Sequence, residues 1–141
     1  RVTAIDVSPD AVRLARQNTE SLRLSGQVSV LRADLLINTF ALPHPVDLVV
    51  SNPPYILERE RQEMAPHVTE REPAEALFVP DDEPALFYEA ILSRCPAPRY
   101  ALEINPLAAE RLEELFHRRE YEVTFGYGYR RERRFLFAEK G

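Results

Sequence analysis

The stretch Val46-Asp47-Leu48-Val49-Val50-Ser51-Asn52-Pro53-Pro54-Tyr55 decides the fold of this chain. Its opening residues, Val46 to Ser51, form an apolar run that reads as a buried strand. The tetrapeptide that follows is a rigid polar loop at the strand's carboxyl end, where open α/β sheets bind their ligands. Pro53 and Pro54 fix φ and remove backbone donors, so the carbonyls around Asn52 and Pro53 are left to accept hydrogen bonds from another molecule. An amide side chain beside such carbonyls offers acceptors for both hydrogens of a planar amino group, and Tyr55 offers a flat face to stack on it. The chemistry this implies is methyl transfer to nitrogen.

Upstream of this stretch, the run from Val2 to Val7 predicts a strand that carries Asp6 at its end. Ser8-Pro9-Asp10 then supplies an N-cap, a proline for the first helical position and a first-turn acid. Ala11, Leu14, Ala15 and Leu22 recur at helical spacing, with Gly26 as the expected stop. Val28 to Leu31 predicts a second strand ending before Asp34, and strand, helix, strand implies a parallel pair.

Downstream, the polar segment from Glu58 to Asp82 reads as a loop or lid, with a helical hint at Arg59 to Met64. Glu83-Pro84 opens a helix through Leu92, and Tyr100 to Ile104 is a further strand. Asn105-Pro106 caps the next helix, which turns Leu107, Leu112, Leu115 and Phe116 inward. The final runs, Tyr121 to Phe125 and Phe135 to Ala138, are too close for a crossover helix and predict an antiparallel hairpin.

Composition bounds the function. A chain of 141 residues that is 45% hydrophobic and 29% charged makes one domain at most. The single Cys95 excludes an internal disulfide framework, and no apolar run approaches the ~20 residues that span a bilayer, so a soluble, cytosolic protein is expected. The net charge of −5 is concentrated just after the tetrapeptide: residues 52 to 104 carry five basic and eleven acidic groups. A site that gripped nucleic acid would be ringed with Lys and Arg, so the balance makes nucleic acid an unfavoured partner and favours a protein or small molecule. The one basic cluster, Arg130, Arg131, Arg133 and Arg134, reads as a solvated hairpin turn with no catalytic role. His44, His67 and His117 have no ligand spacing, so no metal is expected.

The ordered set Ala4-Ile5-Asp6-Val7-Ser8-Pro9-Asp10-Ala11, Ala33-Asp34-Leu35 and Val50-Ser51-Asn52-Pro53-Pro54-Tyr55-Ile56 resembles the S-adenosylmethionine-dependent methyltransferases. It most resembles the HemK/PrmC family, which methylates the glutamine amide of peptide chain release factors. Glu72-Pro73, Ala76-Leu77, Leu86-Phe87-Tyr88 and Leu102-Glu103-Ile104 match that family's later landmarks. The fold this resemblance implies is the α/β, class I Rossmann-like methyltransferase sheet with an antiparallel C-terminal hairpin. It implies that Asp6 takes the cofactor's ribose hydroxyls, that Asp34 and the backbone of Leu35 face its adenine, and that Asn52, Pro53, Pro54 and Tyr55 hold the acceptor amide. Taken alone, Asp6 reads equally as an exposed carboxylate before the Ser8 cap, Asp34 as the residue of an Asx-turn, and Asn52 as a helix cap before prolines.

Members of this family place an acidic, glycine-rich loop after their first strand, whereas the glycines here are Gly26, Gly126, Gly128 and Gly141. The chain is therefore expected to be the C-terminal part of one methyltransferase domain over residues 1 to 141, with the first strand and the N-terminal helical domain missing. A sheet without that strand exposes edges, which predicts self-association and an inactive isolated segment. Glycine is also absent from Val79 to Glu83, where the family carries a glycine-rich turn. Two other readings remain open: an adenine amino-group methyltransferase acting on RNA or DNA, and a non-catalytic remnant that binds a protein partner.

Overall fold

The structure is a computed structural model that describes residues 1 to 37, 39 to 64 and 74 to 141. Two compact units divide it, Arg1–Ala41 and Leu42–Gly141.

In the first unit, strand β1 (Val2–Asp6), helix α1 (Pro9–Ser21) and strand β2 (Val28–Arg32) follow one another. The strands pair in parallel, with Val2 opposite Val28 and Asp6 opposite Arg32, as the strand-helix-strand pattern predicts. Ser8 caps the helix through its hydroxyl oxygen, which accepts from the Ala11 amide at 3.3 Å, and Pro9 occupies the first turn. The expected stop at Gly26 is corrected. The helix ends at Ser21, because Arg23 takes the left-handed conformation (φ 58°) and lets the Leu24 amide reach back to the Thr19 carbonyl at 2.8 Å. The inward face is also shifted: Val12 is buried, while Leu14 and Leu22 are exposed.

The second unit is built on a four-stranded sheet. Its members are β3 (Val49–Ser51), β6 (Arg99–Glu103), β7 (Tyr121–Tyr127) and β8 (Arg133–Lys140), in the order β3-β6-β8-β7. β3 and β6 are parallel, and β8 runs antiparallel to both β6 and β7, which gives the expected hairpin. β3 is shorter than predicted and begins at Val49, with Leu48 before it exposed. Helix α2 (Leu86–Arg94) and helix α3 (Ala109–His117) supply the core with the inner faces of β6 and β8. Leu102, Ile104, Leu112, Phe116 and Leu136 are fully buried, but Leu107, expected inside, is exposed in the short 3-10 turn Pro106–Ala108 ahead of α3. The rings of Tyr100, Phe116 and Tyr121 meet edge to face, with centroids 5.3 to 5.9 Å apart. On the opposite face of the sheet, Val50, Ala101 and Phe137 lie side by side in register, and Val50 is 72% exposed.

Between β3 and α2 the chain forms a small parallel pair that sequence periodicity does not indicate: β4 (Ile56–Leu57) against β5 (Phe78–Val79). A 3-10 helix over Glu58–Glu63 follows β4, matching the helical hint there. His67 and Glu72-Pro73, with the middle of the expected lid, lie outside the described residues.

Candidate active site

Asn52-Pro53-Pro54-Tyr55 leaves the carboxyl end of β3, beside the carboxyl end of β6, where Ser51 is paired with Leu102. Pro53 is buried and Asn52 exposed. Together with Tyr55, Met64, Glu103 and Arg134 they line a cleft of about 320 Å³.

Tyr55 is anchored at both ends. Its phenol donates to Glu103 Oε1 at 2.7 Å and accepts from Arg134 Nη2 at 2.8 Å. Arg134 and Glu103 also pair directly at 2.8 Å, and the guanidinium lies 5.4 Å from the Tyr55 ring centroid. At the backbone, the Tyr55 carbonyl accepts from Asn105 Nδ2 at 3.1 Å. The same Nδ2 donates to Glu60 Oε2 at 2.7 Å, and that oxygen also accepts the Leu57 amide at 2.9 Å. Asn105 Oδ1 meanwhile caps the turn before α3 by accepting the Leu107 amide at 3.0 Å. Asn105 is 5% exposed with its amide used at both atoms, so the capping role read from sequence is half of what it does.

Beneath this layer, the buried Tyr88 phenol donates to the Glu103 carbonyl at 2.9 Å. Burial pushes that phenol well above the ordinary tyrosine range, and the neighbouring Tyr55 and Glu103 add to the effect.

Sequence reading missed two of these residues. Glu103 stood only as a landmark, although its place at the end of a strand parallel to β3 is a signal for a site. The reading of the arginine cluster as a solvated turn holds for Arg130 and Arg131, which are exposed, and is corrected for the other two. Arg133 lies over the Phe125 ring at 4.6 Å, and Arg134 enters the cleft because β8 pairs with β6 and brings it beside Glu103.

In the first unit, Asp6 ends β1 and Asp34 follows β2, so both stand at the carboxyl end of the parallel pair. Asp6 Oδ1 accepts the Ser8 amide at 2.8 Å, and its main-chain carbonyl accepts the Ala33 amide at 3.0 Å. Asp34 Oδ1 accepts the Leu36 amide at 2.8 Å, an Asx-turn, with Leu35 half-buried between them. The local roles weighed for both aspartates are therefore real. Each engages one carboxylate oxygen in these bonds, and a carboxylate has capacity for further donors. The exposed Asp6 is thus chemically suited to vicinal hydroxyls, and Asp34 to an exocyclic amine.

Among the described residues no group of three or more His, Cys, Asp or Glu is arranged to hold a metal ion, and no helix is long and apolar enough to cross a membrane.

Comparison with known sequences identifies the family. The profile described as Methyltransferase small domain matches residues 1–77. The chain belongs to this family. A release factor glutamine methyltransferase of Bacteroides thetaiotaomicron is 36% identical over 126 residues, which cover 86% of this chain and 45% of that protein. A ribosomal protein uL3 glutamine methyltransferase of Francisella tularensis is 35% identical over 109 residues, covering 77% of this chain and 33% of the relative. The resemblance to the HemK/PrmC family is borne out by these relatives, and the chain spans less than half the length of each. Among solved structures, the human Mettl16 catalytic domain in complex with MAT2A 3′UTR hairpin 6 superposes with a TM-score of 0.67 at 17% identity, covering 98% of this chain and 54% of that one. The N-terminal domain of human METTL16 in complex with SAH gives 0.55 at 18% identity, covering 98% and 51%. These likenesses bear out the class I methyltransferase fold, α/β with a mixed sheet.

Proposed function

We propose that residues 1 to 141 are the C-terminal part of one methyltransferase domain, and that the intact protein methylates the side-chain amide nitrogen of a glutamine in a peptide chain release factor. The observation that carries this is the tetrapeptide Asn52-Pro53-Pro54-Tyr55 at the strand end, with an exposed amide, a tyrosine tethered beside it and no cationic rim for nucleic acid. The names of the relatives support a protein glutamine as acceptor.

S-adenosylmethionine, when bound, supplies an electrophilic methyl group on sulfur. Asp6 would accept from its ribose hydroxyls, Asp34 from its adenine amine, and Leu35 would lie against the ring. An amide nitrogen is a poor nucleophile because its lone pair is delocalised, so orientation must do most of the work. The Asn52 side-chain oxygen and the Pro53 carbonyl would each accept one amide hydrogen, turning the lone pair out of the amide plane and stabilising positive charge as it develops on nitrogen. Pro54 removes a competing backbone donor, and Tyr55 packs against the amide plane.

The test is transfer of labelled methyl from S-adenosylmethionine by the natural gene product to a purified release factor, with the label located by fragmentation. Label on the glutamine side chain supports the reading. Label on adenine of RNA or DNA, or no cofactor binding at all, refutes it.

A further inference from the structure

We propose that Glu103 and Arg134 are positioning residues of this site, which fix where the Tyr55 ring points and so where the acceptor amide can lie. The proposal rests on the glutamine-methylation reading above. A tyrosine tethered only through its backbone can swing about χ1, carrying the ring out of the cleft. Here the far end of the ring is held as well, by a closed triangle: phenol to Glu103 at 2.7 Å, Arg134 to phenol at 2.8 Å, and Arg134 to Glu103 at 2.8 Å. The near end is held by Asn105 on the Tyr55 carbonyl. Each corner of the triangle sits on separately ordered backbone. Glu103 closes β6, where its carbonyl accepts from Tyr88, and the Arg134 carbonyl accepts the Ile104 amide at 2.9 Å.

The charges make the same argument. Glu103 lines the cleft and could be taken for the base that removes an amide proton. Its Oε1 is instead engaged by both the phenol and a guanidinium, so its charge is matched and directed at the tyrosine. The phenol proton is likewise committed to Glu103, which leaves Tyr55 as a surface rather than a proton carrier.

The test compares the natural protein with Glu103→Ala, Glu103→Gln and Arg134→Ala, each alone and combined with Tyr55→Phe. Both alanine variants are expected to lower kcat on the release-factor glutamine by about 10- to 100-fold, the scale of a misplaced contact, with cofactor Kd changed by less than about 2-fold. Glu103→Gln should recover most of the rate, because the amide oxygen still accepts from the phenol. Adding Tyr55→Phe to either alanine variant should cost little more, since the tether is already cut. A glutamine variant as slow as the alanine variant would make Glu103 a proton acceptor and overturn the proposal, as would full additivity with Tyr55→Phe. The second readout needs no turnover: the ring signals of Tyr55 in isotope-labelled protein should move in Glu103→Ala and return in Glu103→Gln. That behaviour without any release-factor methylation would sink the functional reading and keep the tether; unmoved signals would overturn the tether even in an active enzyme.

Discussion

Replacing Asn105 by Asp is the sharpest perturbation this structure offers, because it exchanges one NH2 for one oxygen and leaves shape almost unchanged. The Oδ1 that caps the turn before α3 survives, and Asp is as good a cap as Asn. What is lost is the donor that bridges the Tyr55 carbonyl at 3.1 Å and Glu60 Oε2 at 2.7 Å. A bond to a neutral carbonyl contributes about 1 kcal/mol and one to a carboxylate about 1.5–3, so the variant should lose about 3 kcal/mol at neutral pH. Asn105→Ala loses the cap as well, about 1 kcal/mol more, which would place it near 4 before relaxation. The two variants then part with pH. In the Asp variant a second carboxylate oxygen faces Glu60 across what was a 2.7 Å bond, so the pair favours holding one proton and the folded carboxyl is raised above its unfolded value. A group raised in this way contributes stability below its unfolded pKa and loses it as pH rises. The deficit of Asn105→Asp against the native protein should therefore shrink towards pH ~4 and widen towards neutrality, while that of Asn105→Ala stays flat. Urea midpoints of the three proteins across this range provide the assay. An Asp variant as stable as the native protein at neutral pH, or one whose deficit does not move with pH, would refute the network as described.

In the intact enzyme, Asn52→Ala should lower kcat by orders of magnitude with cofactor affinity nearly unchanged, because the lost contacts orient the amide; equal losses in both would remove Asn52 from that role. Asp6→Ala should weaken cofactor binding by about 1–3 kcal/mol, the contribution of hydrogen bonds to a charged group, and calorimetric titration that finds no loss would take Asp6 out of the site. Tyr88, fully buried with its phenol raised, keeps its proton in the folded state after the unfolded chain has lost it at about pH 10. Stability should thus be full below that pH and fall above it by about 1.4 kcal/mol per unit from this residue, so Tyr88→Phe should flatten the alkaline limb of a plot of urea midpoint against pH.

Legibility in the sequence tracked how local each cause is. Ser8-Pro9 predicts the start of α1 because a cap and a proline act within one turn, and the alternation Leu136, Ala138 inward against Phe135, Phe137 outward makes β8 readable as a half-covered strand. The stop of α1 was misread because glycine was taken as the residue able to turn left-handed, whereas Arg23 does so. The β4–β5 pair was invisible for another reason. Two residues on each side carry no period, and their pairing depends on Ile56 meeting Phe78 across the loop between them.

The same distinction separates the halves of the candidate site. Asp6, Asp34 and Asn52 are found by one rule, since each lies where a predicted strand of a parallel pair ends, and locating the strands locates the residues. Glu103 obeys that rule too, at the end of β6. Arg134 cannot be found that way: it stands at the start of an antiparallel strand, in a run of arginines whose neighbours Arg130 and Arg131 do face solvent. Only the register that sets Glu103 opposite Phe135 brings the preceding residue to the cleft, and a slip of one position would send Arg134 to the other face. The residues that would touch substrate are therefore legible from topology alone, and those that hold them in place are legible only from register.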